Sequence, residues 1–303
     1  MTRILITGAS GFLGTNLVRE LANDHEIVAA YHRNRPALPR GEALELDVTR
    51  GAEVARLVAA AAPDLVIHSA AMSQPDACER DPAAATAVIV DGSRNVARAA
   101  RTAGARLVHI STDLVFDGER GGYDETDPVR GISVYARCKI EAESEVTDAD
   151  PGAVILRVAV LYGRGNPQYP GFLDTMLSAW RAGRAMAFYT DQFRTPTFAP
   201  QVTDAVRAFA AHRSVAGVFH LGGADRVSRY EFASIVAEEV GAPADLVRPG
   251  SVLDSPAPAR RGADCSLRSD KIRRVLGIKL VSCREGLRLL AARGQVERIA
   301  PQR

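Results

Sequence analysis

Lysine is nearly missing from this sequence: of 38 basic residues, 35 are arginine, and the lysines are Lys139, Lys271 and Lys279 alone. No basic run interleaved with aromatics occurs and the net charge is only +2, which excludes the electrostatic signature of a nucleic-acid binder. Cysteine is equally sparse. Cys78, Cys138, Cys265 and Cys283 stand far apart with no Cys-x-x-Cys pair. That spacing excludes a disulfide framework or zinc site and fits a reducing, cytoplasmic setting; no metal is expected. No apolar run reaches transmembrane length, and "ILIT" (4–7) is too short for a signal-peptide core, so neither membrane nor leader is expected. What remains, 47% hydrophobic and 24% charged over 303 residues, suffices for a large core.

That core is patterned as alternating strands and helices. Buried strands are predicted at 3–7, 26–31, 64–70, 106–111 and 153–160, with helices at 13–22, 51–61, 83–103 and 133–147. Alternation of this kind makes βαβ units, so the expected fold is α/β, a Rossmann-like doubly wound parallel sheet. After residue 160 the pattern loosens. Helices are expected near 172–183, 201–212, 228–240, 269–275 and 283–293, with a strand at 217–221 and a proline-rich loop at 249–262. The domain reading is a nucleotide-binding domain over 1–160 with returning segments at 190–223. A smaller discontinuous lobe, 161–189 and 224–303, would bind the substrate.

"TGASGFLG" (7–14) follows the first strand and opens the first helix. Gly8, Gly11 and Gly14 permit a tight turn, and the backbone of Ser10, Gly11, Phe12 and Leu13 can approach a pyrophosphate at the helix terminus. The second strand ends in "YHRNR" (31–35), with no acid for a ribose 2′-hydroxyl. Arg33 and Arg35 instead suit a 2′-phosphate, with His32 and Asn34 beside them in the cofactor site, which favours NADP over NAD; the alternative is a solvated basic loop. Asp47 and Val48 are placed at the adenine edge, and Ser69, Ala70 and Ala71 at the nicotinamide side.

Tyr135 and Lys139 are spaced i, i+4 and so share one helix face. An ammonium beside a phenol stabilises phenolate, and lysine's compact charge can also reach ribose hydroxyls. "HISTDLVFDG" (109–118) puts Ser111 and Thr112 at the carboxyl end of a strand, where a hydroxyl can bond a substrate carbonyl oxygen.

These motifs together, "TGASGFLG", "HSAA", "STDLVFDG" and "YARCK", resemble an extended short-chain dehydrogenase/reductase. "STDLVFDGERGGYDETDPV", "DQFRTPTFAP" and "PARRGADCSL" resemble, more narrowly, the dTDP-4-dehydrorhamnose reductase group, over about residues 3–293. The resemblance implies reduction of a keto group on a nucleotide-linked deoxysugar held between the lobes. It implies Thr112, Tyr135 and Lys139 as the catalytic set, with Tyr135 the proton donor and Lys139 also on the nicotinamide ribose. A homodimer is an expectation of the same kind.

The chain departs from that group at several positions. Leu114 and Val160 stand where it commonly has Tyr and Trp, Ile89 replaces an Asn, Ala136 replaces a Gly, and the loop 163–171 is longer. Met72, Leu114, Val160 and Asn166 are assigned to the sugar side, and Arg260 and Arg261 to the diphosphate. Two other readings are a sugar-nucleotide epimerase or dehydratase, and a non-catalytic NADP-binding regulatory subunit like that of methionine adenosyltransferase. A dehydratase carries Asp-Glu after the threonine, whereas here Asp113 precedes Leu114. Arg33→Ala is expected to weaken NADPH binding far more than NADH binding, read by fluorescence titration. Equal losses would remove the 2′-phosphate argument.

Overall fold

The computed structural model describes residues 1–299. Its centre is a sheet of β1 (Arg3–Thr7), β2 (Glu26–Tyr31), β3 (Glu42–Glu45), β4 (Leu65–His68), β5 (Arg106–Thr112), β6 (Val154–Val158) and a seventh strand, Gly217–Leu221. The spatial order is β3-β2-β1-β4-β5-β6-seventh, and every neighbouring pair is parallel. Strand order therefore reverses between β1 and β4, the place where open α/β sheets bind ligands.

Successive strand residues feed two different cores. Ile4 and Ile6 pack on one face with Leu17, Val206 and Phe209, while Leu5 packs on the other with Val54, Val58 and Val96. This period of two, apolar on both faces, is what a covered parallel sheet requires. The flanking helices are α1 (Phe12–Leu21), α2 (Gly51–Ala61), α3 (Pro75–Arg80), α4 (Pro82–Ala85), α5 (Gly92–Thr102), α6 (Val134–Ala149), α7 (Phe172–Arg181), α8 (Ala199–Ala211) and α9 (Arg229–Val240). None of the described helices is long and apolar enough to cross a membrane.

A separate core lies beyond the sheet, where Tyr162, Trp180, Phe188, Phe198, Phe232 and Leu287 are buried together. It draws on α7, α9 and the helix Cys283–Ala292, and on a parallel pair of strands, Met186–Tyr189 with Val247–Gly250.

Three local differences from the sequence expectation have identifiable causes. The helix expected at 83–103 is interrupted by a π-helical stretch, Thr86–Asp91, between α4 and α5. β3 was not foreseen, because "EALE" at the sheet edge is half exposed and has no buried face to pattern it. The strand expected to reach 160 ends at Val158, and Leu161–Tyr162 pairs instead with Thr197–Phe198.

His68, His109 and His220 lie inside the fold, each 1% exposed or less. Burial pushes His68 and His220 down to about 3, and His109 well below the usual range. The unfolded chain thus binds more protons than the native one below the ordinary value of 6.5. Stability is expected to fall as pH drops from 7 to 5, by about 1.4 kcal/mol per pH unit for each such histidine below that value. Urea unfolding at the two pH values measures this; equal stabilities would contradict it.

Candidate active site

The glycine turn fits a dinucleotide on geometric grounds. Gly8 has φ +67°, and a Cβ there would lie 2.7 Å from the Ala70 nitrogen, so the turn after β1 packs directly on the turn after β4. A Cβ on Gly14 would lie 2.2 Å from the Gly8 carbonyl oxygen, so α1 sits hard against the turn. Gly11 differs: a Cβ there would meet only the Gly8 carbonyl oxygen, at 3.3 Å. Internal packing demands its bareness less strictly than at Gly8 and Gly14. No side chain caps α1, which leaves the helix N-terminus open to an anion.

Around this turn, Ser69 Oγ donates to the Thr7 carbonyl at 2.7 Å and so holds the Ser69–Ala70–Ala71 segment beside it. His32, Arg33 and Arg35 are exposed and Asn34 is half buried at the end of β2. Neither Arg33 nor Arg35 has an ion-pair partner among the described residues. Asp47 is half buried; burial raises its pKa, but the Thr49 hydroxyl and amide, with the charges of His32 and Arg50, outweigh burial and hold the carboxyl low. Val48, expected at the adenine edge, is core: it is 7% exposed, and a Cβ on Gly92 would lie 2.8 Å from its Cγ2. Leu13 is also buried in the core, so only its backbone is available to a ligand.

α6 carries the tyrosine and lysine because both of its ends are defined. Ser133 caps it, accepting from the Ala136 amide at 3.2 Å, and Glu79 accepts from the Val134 amide at 2.8 Å. Asp150, ahead of Pro151, is extended and ends it. Tyr135, Lys139 and Glu143 follow at i, i+4 and i+8 along one face. Glu143 takes two hydrogen bonds from Arg157 Nε, at 3.0 and 3.2 Å, one from Arg157 Nη2 at 2.6 Å, and one from Ser111 Oγ. Ser111 is thereby committed to the helix, and Thr112 is the strand-end hydroxyl left at the cleft.

Thr112 donates to Asp113 Oδ1 at 3.1 Å and accepts from the Leu114 amide at 3.2 Å. Asp113 is 4% exposed, and among the described residues its Oδ2 has no hydrogen-bond partner, only an ion pair with Arg194 Nε at 3.4 Å. Burial raises its pKa, against the charges of Arg194 and Arg229 and the Thr112 bond. Tyr135 is half buried, and burial together with the Asp113 charge pushes its phenol up, while the Thr112 hydroxyl pulls the other way.

The expected lowering of the phenol by Lys139 does not occur in this structure. Lys139 Nζ turns toward the sheet, donating to the Ile110 carbonyl at 2.6 Å and lying 3.3 Å from His109 Nε2. Its own pKa is brought down to about 8 by burial, against the opposing charge of Glu143.

Met72 shares an apolar cluster with Tyr135, and Leu114 and Val160 are half buried at the ends of β5 and β6. Asn166 is not with them. Its Nδ2 donates to the Ser10 carbonyl at 2.7 Å and to Thr15 Oγ1 at 2.6 Å, because the longer loop folds back over α1. Arg261 is not free for an anion either, since Nη2 donates to Asp76 Oδ2 at 2.7 Å; Arg260 is exposed. The guanidinium that the sequence reading missed is Arg229. It stacks on Phe172 at 3.9 Å, has no hydrogen bond or ion pair among the described residues, and feels the charges of Arg194, Asp113 and Arg261. Burial and Arg194 bring it down to about 10. Nothing in "SRYEF" marks it from sequence, since only the fold carries α9 to the cleft.

A doubly wound sheet, a glycine turn at its switch point, Thr112 at the end of β5 and Tyr135 and Lys139 four residues apart on α6 make up a short-chain dehydrogenase/reductase, hence an oxidoreductase. Within that class the chain belongs to the family described as RmlD substrate binding domain, whose model matches residues 1–296. A dTDP-4-dehydrorhamnose reductase of Sinorhizobium fredii is 32% identical over 298 residues, covering 95% of this chain and 96% of the relative. Methionine adenosyltransferase 2 subunit beta of Bos taurus is also 32% identical, over 276 residues, 87% of this chain and 80% of the relative. Among solved structures, dTDP-4-dehydrorhamnose reductase from Bacillus anthracis str. Ames, in complex with NADP, superposes with a TM-score of 0.86 at 28% identity, covering 96% of this chain and 99% of that one.

Glu143→Ala leaves Arg157 buried without its partner, and is expected to cost about 3–5 kcal/mol of stability in urea unfolding. A loss under about 1 kcal/mol would show that the pair does not anchor α6.

Proposed function

We propose that the chain is an NADPH-dependent reductase of a keto group on a nucleotide-linked deoxysugar, similar to dTDP-4-dehydrorhamnose reductase. The observation that supports this is the Thr112 hydroxyl at the carboxyl end of β5, which donates to Asp113 at 3.1 Å and moderates the upward shift that burial and the Asp113 charge impose on the Tyr135 phenol. When bound, NADPH would supply the hydride. The glycine turn would seat the pyrophosphate, Arg33 and Arg35 would pair with a 2′-phosphate, and Ser69 to Ala71 would border the nicotinamide side. Lys139, with one N–H already given to the Ile110 carbonyl, would offer a remaining N–H to the ribose hydroxyls.

Thr112 would orient the substrate's carbonyl oxygen, and Tyr135 would give that oxygen its proton. A phenol is protonated at neutral pH in any case; the upward shift makes this one a weaker acid than a group poised near the working pH, so proton transfer would follow the build-up of negative charge on the carbonyl oxygen. Asp113 deepens this effect, since its charge opposes phenolate. Met72, Leu114 and Val160 would border the sugar, and Arg229, with Arg260 nearby in sequence to the Asp76-bound Arg261, would meet the diphosphate. With Leu114 and Val160 in place of larger aromatics, the sugar differs in shape from dehydrorhamnose. Four free, buried cysteines support a reducing, cytoplasmic setting for this activity.

The likeness to methionine adenosyltransferase 2 subunit beta favours a second reading, a non-catalytic dinucleotide-binding subunit. The retained Thr112, Tyr135 and Lys139 weigh against it, because binding alone has no use for a phenol kept protonated beside a carbonyl site.

The test follows nicotinamide absorbance with NADPH and dTDP-4-keto-6-deoxyhexoses. Tyr135→Phe is expected to lower turnover at least about a hundredfold while NADPH binding stays within about twofold. A variant keeping more than about a tenth of the wild-type rate rejects Tyr135 as donor. NADPH binding without turnover on any such sugar moves the reading to the regulatory subunit. The KM for NADPH is expected to rise as pH passes upward through about 8, where Lys139 loses its charge. A KM flat from pH 7 to 9 would contradict the ribose role.

A further inference from the structure

The loop 163–171 joins Tyr162 to α7, both within the second core, yet its hydrogen bonds run to the nucleotide side. Asn16 Nδ2 donates to the Arg164 carbonyl at 3.1 Å, Asn166 Nδ2 binds Ser10 and Thr15 as described above, and Asn34 Nδ2 donates to the Tyr169 hydroxyl at 3.0 Å. Three separate pieces of the first lobe are therefore gripped: the glycine turn, the first turn of α1 and the end of β2. The strap is also braced from its own side. Asp174 Oδ2 accepts from the amides of Gly165 at 2.7 Å and Gly171 at 2.9 Å, and Asn166 Oδ1 accepts from those of Gln168 and Tyr169. Gly171 lies so close to Phe12 that a Cβ would come within 2.3 Å of its ring.

The tip of the strap is the informative part. Tyr169 is 40% exposed, although its ring sits on a braced loop. Its hydroxyl accepts from Asn34, and the phenolic proton has no acceptor among the described residues. Asn34 lies between Arg33 and Arg35, two guanidinium groups without ion-pair partners among the described residues. An unspent O–H donor has thus been carried from one lobe to the basic corner of the other.

We propose that residues 164–170 form a strap across the adenosine half of the bound dinucleotide, with Tyr169 donating its phenolic proton to the 2′-phosphate between Arg33 and Arg35. This rests on the reading of the glycine turn as an NADP site. Asn166 is the latch that keeps the strap on the turn, and Tyr169 is a specificity residue that NADH, lacking the phosphate, does not engage. The strap also ties cofactor residence to the second lobe, because the chain that closes it runs directly into α7, whose Phe172 supports Arg229.

Binding measurements test this without relying on turnover. NADPH and NADH are titrated by nicotinamide fluorescence into the wild type, Tyr169→Phe and Asn166→Ala, and dissociation rates are read by stopped-flow displacement. Tyr169→Phe, a change at an exposed ring, is expected to weaken NADPH about tenfold and NADH less than about twofold, as loss of one hydrogen bond to a charged group would. Asn166→Ala is expected to speed release of both dinucleotides about tenfold. Wild-type affinity and release rates in both variants would overturn the strap while leaving the cofactor site intact. A wild type that binds neither dinucleotide would overturn the site and the strap together.

Discussion

The buried pair between Glu143 on α6 and Arg157 on β6 is the interaction that the candidate site depends on. Both side chains are under a tenth exposed, and each has further partners, Ser111 for the carboxylate and His220 for the guanidinium. Two charges leave water at a cost of several kcal/mol each, which only tight geometry and extra hydrogen bonds offset. Such a pair adds little net stability but penalises any other placement of the helix. With α6 registered against β5 and β6, Tyr135 falls beside Thr112 and Lys139 falls beneath the carboxyl end of β5. A slip of one turn would separate all three.

The second constraint is electrostatic. The cleft collects Asp113, Arg194, Arg229 and Arg261 within a region largely shielded from water. Arg194 is occupied by Asp113 and by backbone carbonyls of Phe193 and Gly262, and Arg261 by Asp76. The Arg229 guanidinium alone of these has no polar partner among the described residues, and it lies over the Phe172 ring, 3.9 Å from its centroid. The lobe beyond the sheet thus contributes a guanidinium to the cleft, and its loop 163–171 bonds to the glycine turn, α1 and the end of β2.

Much of this was legible in the sequence, and the reasons differ by element. The sheet, the glycine turn and the α6 helix were readable because buried strands, close-approach glycines and an N-cap serine each leave a local pattern. The π-helical Thr86–Asp91 was not, since a single six-residue π turn inside a helical run shifts the apolar spacing too briefly to leave a period of its own. The partners of charged residues were the least legible. Arg261 could not be seen to bind Asp76, nor Lys139 to turn toward Ile110, because residues far apart in sequence make those contacts. Asn166 was misplaced for a related reason: the extra loop residues were visible, but the direction in which they fold is set by Asp174 and Thr15.

The central claim is that this cleft delivers a hydride to a sugar carbonyl while the chain protonates its oxygen. The most direct measurement incubates the protein with NADPH carrying deuterium at both hydrogens of the reactive nicotinamide carbon and a dTDP-4-keto-6-deoxyhexose, then analyses the sugar by mass spectrometry and NMR. The account predicts one deuterium on the former carbonyl carbon, in a single configuration, and none elsewhere on the ring. A product without deuterium, or unchanged sugar beside tightly bound NADPH, would contradict it.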